Sequence, residues 1–319
     1  MHAHIIVEGR VERTESVEVI RAAHAAGRNM WVELGEAGSE AEALLSGTFG
    51  LHPLVVEDIF GERSVPKIEE HDGYLYVVVH ALRSGDPGQA NLGVLDIVIG
   101  RTFLLTQHRE GSATGRLRAR LEASPDLLVK GVAWVAHAFI DMIVDRFLPF
   151  MEVLRARVDT AELRVMADAA DERDLLPELF ALKRSLQALH RIAHHQRDIL
   201  RQLSRTEYPQ IPKAARLYFR DVYDHFTRVA EDAETYKDLV NGAIDAYLNV
   251  QSYRMNGTMK RLTLISTMAL PLNLIAGFYG MNFVSLPGLE SRWGFIVVLC
   301  VMVTVSTGVW TYFKYRRWT

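Results

Sequence analysis

Tyr279-Gly280-Met281-Asn282-Phe283 lies between two uncharged segments, and the reading of that pair decides the fold. Leu262 to Leu289 holds no Asp, Glu, Lys or Arg, and neither does Trp293 to Phe313; Glu290, Ser291 and Arg292 stand between them. An uncharged run of about 20 residues, at about 1.5 Å per residue, crosses a hydrocarbon core about 30 Å thick. The sequence therefore predicts a membrane hairpin. Its first span covers about 262–280, a loop over 280–292 carries Gly-Met-Asn, the second span covers about 293–313, and 314–319 is a basic tail. Lys260 and Arg261 precede the first span, Lys314, Arg316 and Arg317 follow the second, and the loop has one Arg. By the positive-inside rule both termini face the cytoplasm and the Gly-Met-Asn tip faces outward, in a cell inner membrane. Length and charge pattern argue against a buried hairpin in a soluble core.

The 319 residues suffice for more than one domain. A net charge of -3 without a basic patch gives no sign of nucleic acid as a partner. The single cysteine, Cys300, lies in the second apolar run and reads as a small apolar residue, so no disulfide framework forms within one chain. Met1-His2-Ala3-His4 lacks the basic-then-apolar pattern of a signal peptide. The residues ahead of the first span are accordingly expected in the cytosol.

The expected fold is α+β, in three parts. Residues 1–128 form an α/β domain with a mixed sheet, 129–260 a long-helix region with a helical hairpin and a stalk helix, and 261–319 the transmembrane domain. Ile5 to Val11, Met30 to Leu34, Tyr74 to Leu82, Val94 to Ile99 and Thr102 to Gln107 read as strands. Ser39-Glu40-Ala41-Glu42 fits a capping box, and Gly85-Asp86-Pro87-Gly88 a turn. Ile140, Ile143, Val144, Phe147, Met151, Leu154 and Val158 follow a 3-4 spacing that marks one apolar stripe, and Leu175 to Leu203 repeats the pattern. These two stretches make a hairpin with an acidic tip (Asp168, Asp171, Glu172, Asp174), read as a solvated turn or a cation attractor. Thr206 to Pro212 is a break. From Lys213 to Tyr279 the only proline is Pro271, and one helix of that length would span about 100 Å.

Asp245, Asn249, Ser252, Asn256, Met259, Leu262, Ser266, Leu270, Asn273 and Gly277 succeed one another by steps of 3 or 4, so they share one helix side. Lone polar groups are costly in hydrocarbon. Helix–helix packing through small and polar residues explains the stripe in one way. A pore explains it in another, with Asn256 and Asn273 as polar stations and Met259, Leu262 and Leu270 as apolar constrictions that gate by dewetting. One such helix cannot enclose a pore, whereas a ring of identical protomers can, with the second span at the lipid-facing periphery. Trp293, Phe295, Trp310, Tyr312 and Phe313 then fit an interfacial belt. An Asn282 ring at the outer mouth suits Mg²⁺, which gives up its water reluctantly. Gly280 lets neighbouring backbones approach.

Tyr-Gly-Met-Asn between two C-terminal spans resembles the CorA family of magnesium and cobalt transporters. Leu51-His52-Pro53-Leu54-Val55-Val56-Glu57-Asp58-Ile59, Pro66-Lys67-Ile68-Glu69 and Tyr74-Leu75-Tyr76 are similar to its cytosolic signature. Arg220-Asp221-Val222-Tyr223-Asp224-His225 and Asp245-Ala246-Tyr247-Leu248 are similar to its long helix. The resemblance implies a homopentameric funnel that conducts Mg²⁺, with Co²⁺ or Ni²⁺ as alternatives. It implies Gly280, Met281 and Asn282 as the selectivity motif. Asn256, Met259, Leu262, Leu270 and Asn273 would fall on pore-lining positions. It also implies cytosolic Mg²⁺ held between protomers by carboxylates, for which Asp221, Asp86 and Asp245 are the candidates. Asp86 follows a Gly that occupies the aligned position. Where the family often has Met-Pro-Glu-Leu, this chain reads Leu286-Pro287-Gly288-Leu289.

A transporter of Zn²⁺ or Cd²⁺ from the same superfamily, with or without proton coupling, is the second reading. A membrane-anchored metal-sensing scaffold is the third. His190 and His194 are four apart, a spacing that can bind Zn²⁺, but without a third ligand in view they read as surface residues. No nucleophile elbow, Walker loop or dinucleotide fingerprint is present, so neither an enzyme nor an organic substrate is expected.

Overall fold

The computed structural model describes residues 1–35, 38–61, 65–83, 90–108, 112–167, 174–281 and 293–316. Strands β1 (His2–Val7), β2 (Arg10–Thr14), β3 (Met30–Leu34), β4 (Lys67–His71), β5 (Tyr74–Leu82), β6 (Leu92–Gly100) and β7 (Phe103–His108) form one sheet in the order β2-β1-β3-β7-β6-β5-β4. The β3–β7 pair is parallel and the other pairs are antiparallel, so the sheet is mixed.

Every position of β5 is buried, which requires cover on both faces. One face meets α1 (Val17–Ala25), α2 (Ser39–Gly47) and α3 (Pro53–Phe60). Alternate residues Met30, Val32, Leu34 and Tyr74, Tyr76, Val78 join Ile20, Leu44, Leu45, Val55 and Ile59 in that core. The other face meets α4 (Ser112–Ala123), α6 (Val132–Val144) and α8 (Leu175–Arg205), with the short α5 (Asp126–Lys130) beside α6. Two bonds pin that layer. The Gln196 amide oxygen accepts from the His80 backbone N–H at 2.8 Å, and Arg146 donates to the Leu82 carbonyl at 2.6 Å.

The sequence reading needs three corrections here. Ile5 to Val11 is not one strand but a hairpin, because Glu8 and Gly9 both take positive φ (49° and 78°), as a tight two-residue turn demands. β4 escaped the pattern because Lys67-Ile68-Glu69-Glu70-His71 is a polar edge strand, with charges where a central strand would carry aliphatics. α2 begins on Ser39 after an extended Gly38, without a side-chain cap, so Ser39 is the first helical residue and not the N-cap. Met30–Leu34 and Tyr74–Leu82 form strands over the expected residues. The turn at residues 85–88 and the acidic tip over 168, 171 and 172 lie outside the described residues.

The apolar stripe from Ile140 to Val158 is buried throughout, but two helices share it. α6 stops at Val144 and α7 (Phe147–Met166) resumes after Asp145-Arg146. α7 and α8 lie against each other, α7 burying Met151, Leu154 and Val158 and α8 burying Leu179, Leu182 and Leu186, and Arg164 bridges to Glu178. α9 runs over Lys213–Tyr279 and α10 over Gly294–Tyr315.

The chain divides into two units, Met1–Ile244 and Asp245–Thr319. In the first, α9 buries Ala215, Phe219, Val222, Phe226, Val229, Ala233 and Val240, an apolar seam of 3- and 4-residue steps up to one of 7, with Phe226 edge-on to Phe147 at 5.3 Å. In the second, only Tyr247 and Phe313 are buried among the described residues. After Tyr247 no described residue of α9 is buried.

Candidate functional site

Among the described residues, α9 and α10 are long and apolar enough to cross a membrane, and neither apolar window is buried. Exposed aliphatics at this density need lipid or a neighbouring protein surface. The two helices nevertheless have distinct sides. Leu264, Met268, Leu272 and Ile275 of α9 are half-buried, as are Val298, Met302, Val305 and Val309 of α10. Leu274, Ile275 and Phe278 line one groove together with Val297, Val298 and Val301. These are the faces along which the helices meet.

The polar stripe lies elsewhere. Leu264 is two residues on from Leu262, Met268 from Ser266, Leu272 from Leu270, and Ile275 from Asn273. Two residues turn a helix by about 200°. The packed seam and the stripe therefore occupy opposite sides of α9. Asp245, Asn249, Ser252, Asn256, Met259, Leu262, Ser266, Leu270, Asn273 and Gly277 are all exposed in the single chain, so one protomer brings the stripe together and leaves it uncovered.

Five threonine hydroxyls in the spans bond to their own helix. Thr263, Thr267, Thr304, Thr307 and Thr311 each donate to the carbonyl four residues back, at 2.7–2.8 Å. A primary amide, with two donor hydrogens and a carbonyl oxygen, cannot be satisfied by one such bond. Asn256 and Asn273 thus call for water, an ion's hydration shell or another chain. At the far end of α10, Lys314 lies 5.0 Å above the Trp310 ring and Arg316 6.0 Å from the Tyr312 ring, cations and aromatics together as at a membrane interface.

Gly280 closes α9, its N–H bonded to the Ala276 carbonyl at 2.9 Å. A Cβ there would come within 3.0 Å of that same carbonyl oxygen. A side chain there is tight against its own helix end, which must give by a few tenths of an ångström to admit one. Met281 is exposed. Asn282 and the rest of the loop through 292 lie outside the described residues.

Of the candidate regulatory carboxylates, Asp221 is exposed on α9, with His225 Nε2 4.0 Å from its oxygen. Across from it on α6, burial holds His137 below the usual histidine range, against the pull of Asp141 and Asp221. Burial and then the Asp145 charge push the Asp141 carboxyl up. Asp245 begins the exposed stripe. Asp86 lies outside the described residues.

The signature residues of the first unit prove to be joints of the fold. The His52 imidazole caps α3 by accepting from the Leu54 N–H, and the His52 backbone N–H donates to the Tyr74 hydroxyl at 3.0 Å. Tyr76 donates to Asp96 at 2.7 Å.

The profile of the CorA-like Mg²⁺ transporter protein family matches residues 27–316. The chain belongs to this family. The cobalt/magnesium transport protein CorA of Thermotoga maritima is 32% identical over 321 residues, covering 98% of this chain and 90% of that one. The cobalt/magnesium transport protein CorA of Methanocaldococcus jannaschii is 26% identical over 283 residues, 87% of each. The complete structure of the CorA magnesium transporter from the same archaeon superposes with a TM-score of 0.78 at 24% identity, covering 91% of this chain and 92% of that one, and shows the shared CorA fold. Members of the family are metal-ion transporters, and the two candidate spans fit membrane insertion.

One residue pair departs from its expected role. His190 and His194 are half-buried and not free surface residues, and they have a third potential ligand, Glu234 of α9. Glu234 stands 40 residues downstream of His194, and no local spacing signals it.

Proposed function

We propose that several copies of this chain, five by the family resemblance, form a channel that conducts Mg²⁺ into the cell, with Co²⁺ and Ni²⁺ as further substrates. The observation that carries the reading is the placement of the polar stripe opposite the face packed by α10. A ring in which each protomer turns α10 outward to lipid turns Asn256, Met259, Leu262, Ser266, Leu270, Asn273 and Gly277 inward to a shared axis. Asn256 and Asn273 hydrogen-bond the hydration shell of the ion, and Met259, Leu262 and Leu270 close the passage when it dries. Gly280, Met281 and Asn282 sit at the outer mouth, with both termini on the cytoplasmic side of an inner membrane. Membrane potential drives influx, at about 2.3 kcal/mol per charge per 100 mV and roughly twice that for a divalent ion. Cytosolic Mg²⁺ on carboxylates including Asp221, Asp86 and Asp245 holds the ring shut.

Uptake of Mg²⁺ into proteoliposomes, with Co²⁺, Ni²⁺ and Zn²⁺ in competition, tests this reading. Saturable Mg²⁺ uptake that Co²⁺ inhibits supports it. Uptake of Zn²⁺ alone would replace it with zinc transport, and no flux of any ion would leave a scaffold.

A further inference from the structure

His190 and His194 stand one turn apart on α8, and Glu234 projects from α9 beside them. One ligand atom from each lies within 4.8 Å of both others. The donor set is two imidazoles and a carboxylate drawn from two helices. Two further observations mark the cluster as unfinished. His190 Nε2 is buried without a hydrogen-bond partner. The two imidazole rings meet edge to face, their centroids 4.6 Å apart.

We propose that His190, His194 and Glu234 bind a transition divalent ion, Zn²⁺ foremost, with Co²⁺ and Ni²⁺ as competitors, and that the bound ion ties α8 to α9 within the first unit. Three protein ligands with water in the fourth place make a familiar tetrahedral arrangement for Zn²⁺. With bonds of about 2.0–2.2 Å the ligand atoms would stand roughly 3.3 Å apart. Closing from 4.8 Å to that distance takes side-chain rotation, since Glu234 is exposed and the two imidazoles share a helix face.

The chemistry of the donors separates this site from Mg²⁺, the first of the proposed transported ions. Imidazole nitrogen suits Zn²⁺, Ni²⁺ and Co²⁺, whereas Mg²⁺ demands oxygen ligands in an octahedron and keeps most of its water. The cluster therefore distinguishes a contaminating or competing transition ion from Mg²⁺. Charges around it are mixed. Burial, then the nearby Lys237 and His194, hold His190 below the ordinary histidine range, which keeps the ring in the neutral form that a metal requires. Glu234 and Asp238 supply negative charge, and Asp238 lies 3.7 Å from the Lys237 ammonium. Arg197 lies 3.2 Å from His194 Nδ1, and metal binding displaces that contact. The proposal goes beyond the transport reading and does not depend on it, because the site lies in the first unit and uses none of the pore-stripe residues.

The test uses the full chain, untagged, in detergent with Mg²⁺ in excess. Zn²⁺ binding is measured by calorimetry, and Co²⁺ serves as a spectroscopic probe. Wild type should bind one Zn²⁺ per chain more than H190A/H194A, and with Co²⁺ should show the intense visible bands of a tetrahedral nitrogen-ligated ion. E234Q should weaken Zn²⁺ binding by at least the roughly tenfold to hundredfold that loss of an outer-sphere partner costs. Metal-free circular dichroism checks that the variants fold; should H190A/H194A fail, H190Q/H194Q replaces it. Equal Zn²⁺ stoichiometry and Kd in wild type and double variant would overturn the site. So would a wild-type Co²⁺ spectrum showing only the weak bands of octahedral oxygen ligation. Mg²⁺ flux, measured in parallel, reports on transport separately.

Discussion

Lys67 Nζ lies 2.6 Å from Asp58 Oδ2 and 2.8 Å from Glu69 Oε1, and its ammonium sits 5.0 Å from the centre of the Tyr76 ring. Four sequence-distant signature residues thus meet at one joint between α3, β4 and β5. Burial pulls the lysine pKa down, but the hydrogen bonds to Asp58 and Glu69, with their charges, outweigh it and hold the pKa above the usual lysine value.

Replacing Lys67 by Met should weaken the first unit modestly. The pair is partly exposed, so solvent screening limits the loss to about 1 kcal/mol. A shift in the denaturant midpoint of the full protein measures it. Since the folded pKa is raised, the contribution is complete below the ordinary value of 10.5 and disappears as pH climbs through the folded pKa. An unchanged midpoint at neutral pH would mean the joint is ornamental to stability.

His4 contributes to the acid side of the curve. It is buried and stacks on Trp31 at 4.9 Å. Burial, then the charges of Arg118 and Arg13, hold it below 6.5, so the folded state resists the proton that the unfolded chain accepts. Stability is complete above 6.5 and falls as pH drops toward the folded pKa, with a slope of at most about 1.4 kcal/mol per pH unit for this group. His4→Phe keeps the stack and should flatten the decline below 6.5; an identical slope in wild type and variant would assign the acid sensitivity elsewhere.

Leu270 and Leu272 offer a contrast on opposite faces of α9. Leu270→Ala enlarges the proposed constriction and should raise resting Mg²⁺ flux. Leu272→Ala removes packing against α10 and should lower thermal stability by about 1–3 kcal/mol without raising flux. Equal effects of the two on flux would deny the helix its two sides.

Gly280→Ala forces a Cβ to within 3.0 Å of the Ala276 carbonyl oxygen. Relaxing that contact costs about 1–3 kcal/mol and shifts the start of the Gly-Met-Asn loop. Mg²⁺ uptake should fall with expression unchanged, a result read from proteoliposome flux; full uptake would show that the helix end tolerates the side chain.

Much of this was legible in the sequence because periodicity is a local property. The stripe from Asp245 to Gly277 and the two uncharged runs are written in residue spacing, and so is the length of α9, Lys213–Tyr279. What escaped has no such periodicity to show it. β4 became a strand only by pairing with β5, and its polar residues gave no pattern to read. Glu8 was taken into a strand because the positive φ of a tight turn is carried there by a glutamate. His190 and His194 looked ownerless because Glu234 arrives from another helix. The side of α9 that faces α10 could not be read either, since Leu264 and Met268 are no more apolar than the exposed Leu262.

Asp221→Ala should weaken the protection that Mg²⁺ gives against proteolysis if that exposed carboxylate holds the regulatory ion. Digestion patterns that match wild type at every Mg²⁺ concentration would remove it from regulation.

The most direct test of the shared passage compares two single cysteines in a Cys300→Ser background, one at Asn273 and one at Leu272, treated in proteoliposomes with a membrane-impermeant charged thiol reagent. The account predicts that the Asn273→Cys protein is labelled, loses Mg²⁺ flux on labelling, and is protected by Mg²⁺, while the Leu272→Cys protein is inert. Labelling of Leu272→Cys with Asn273→Cys untouched would place water on the other side of the helix and contradict it.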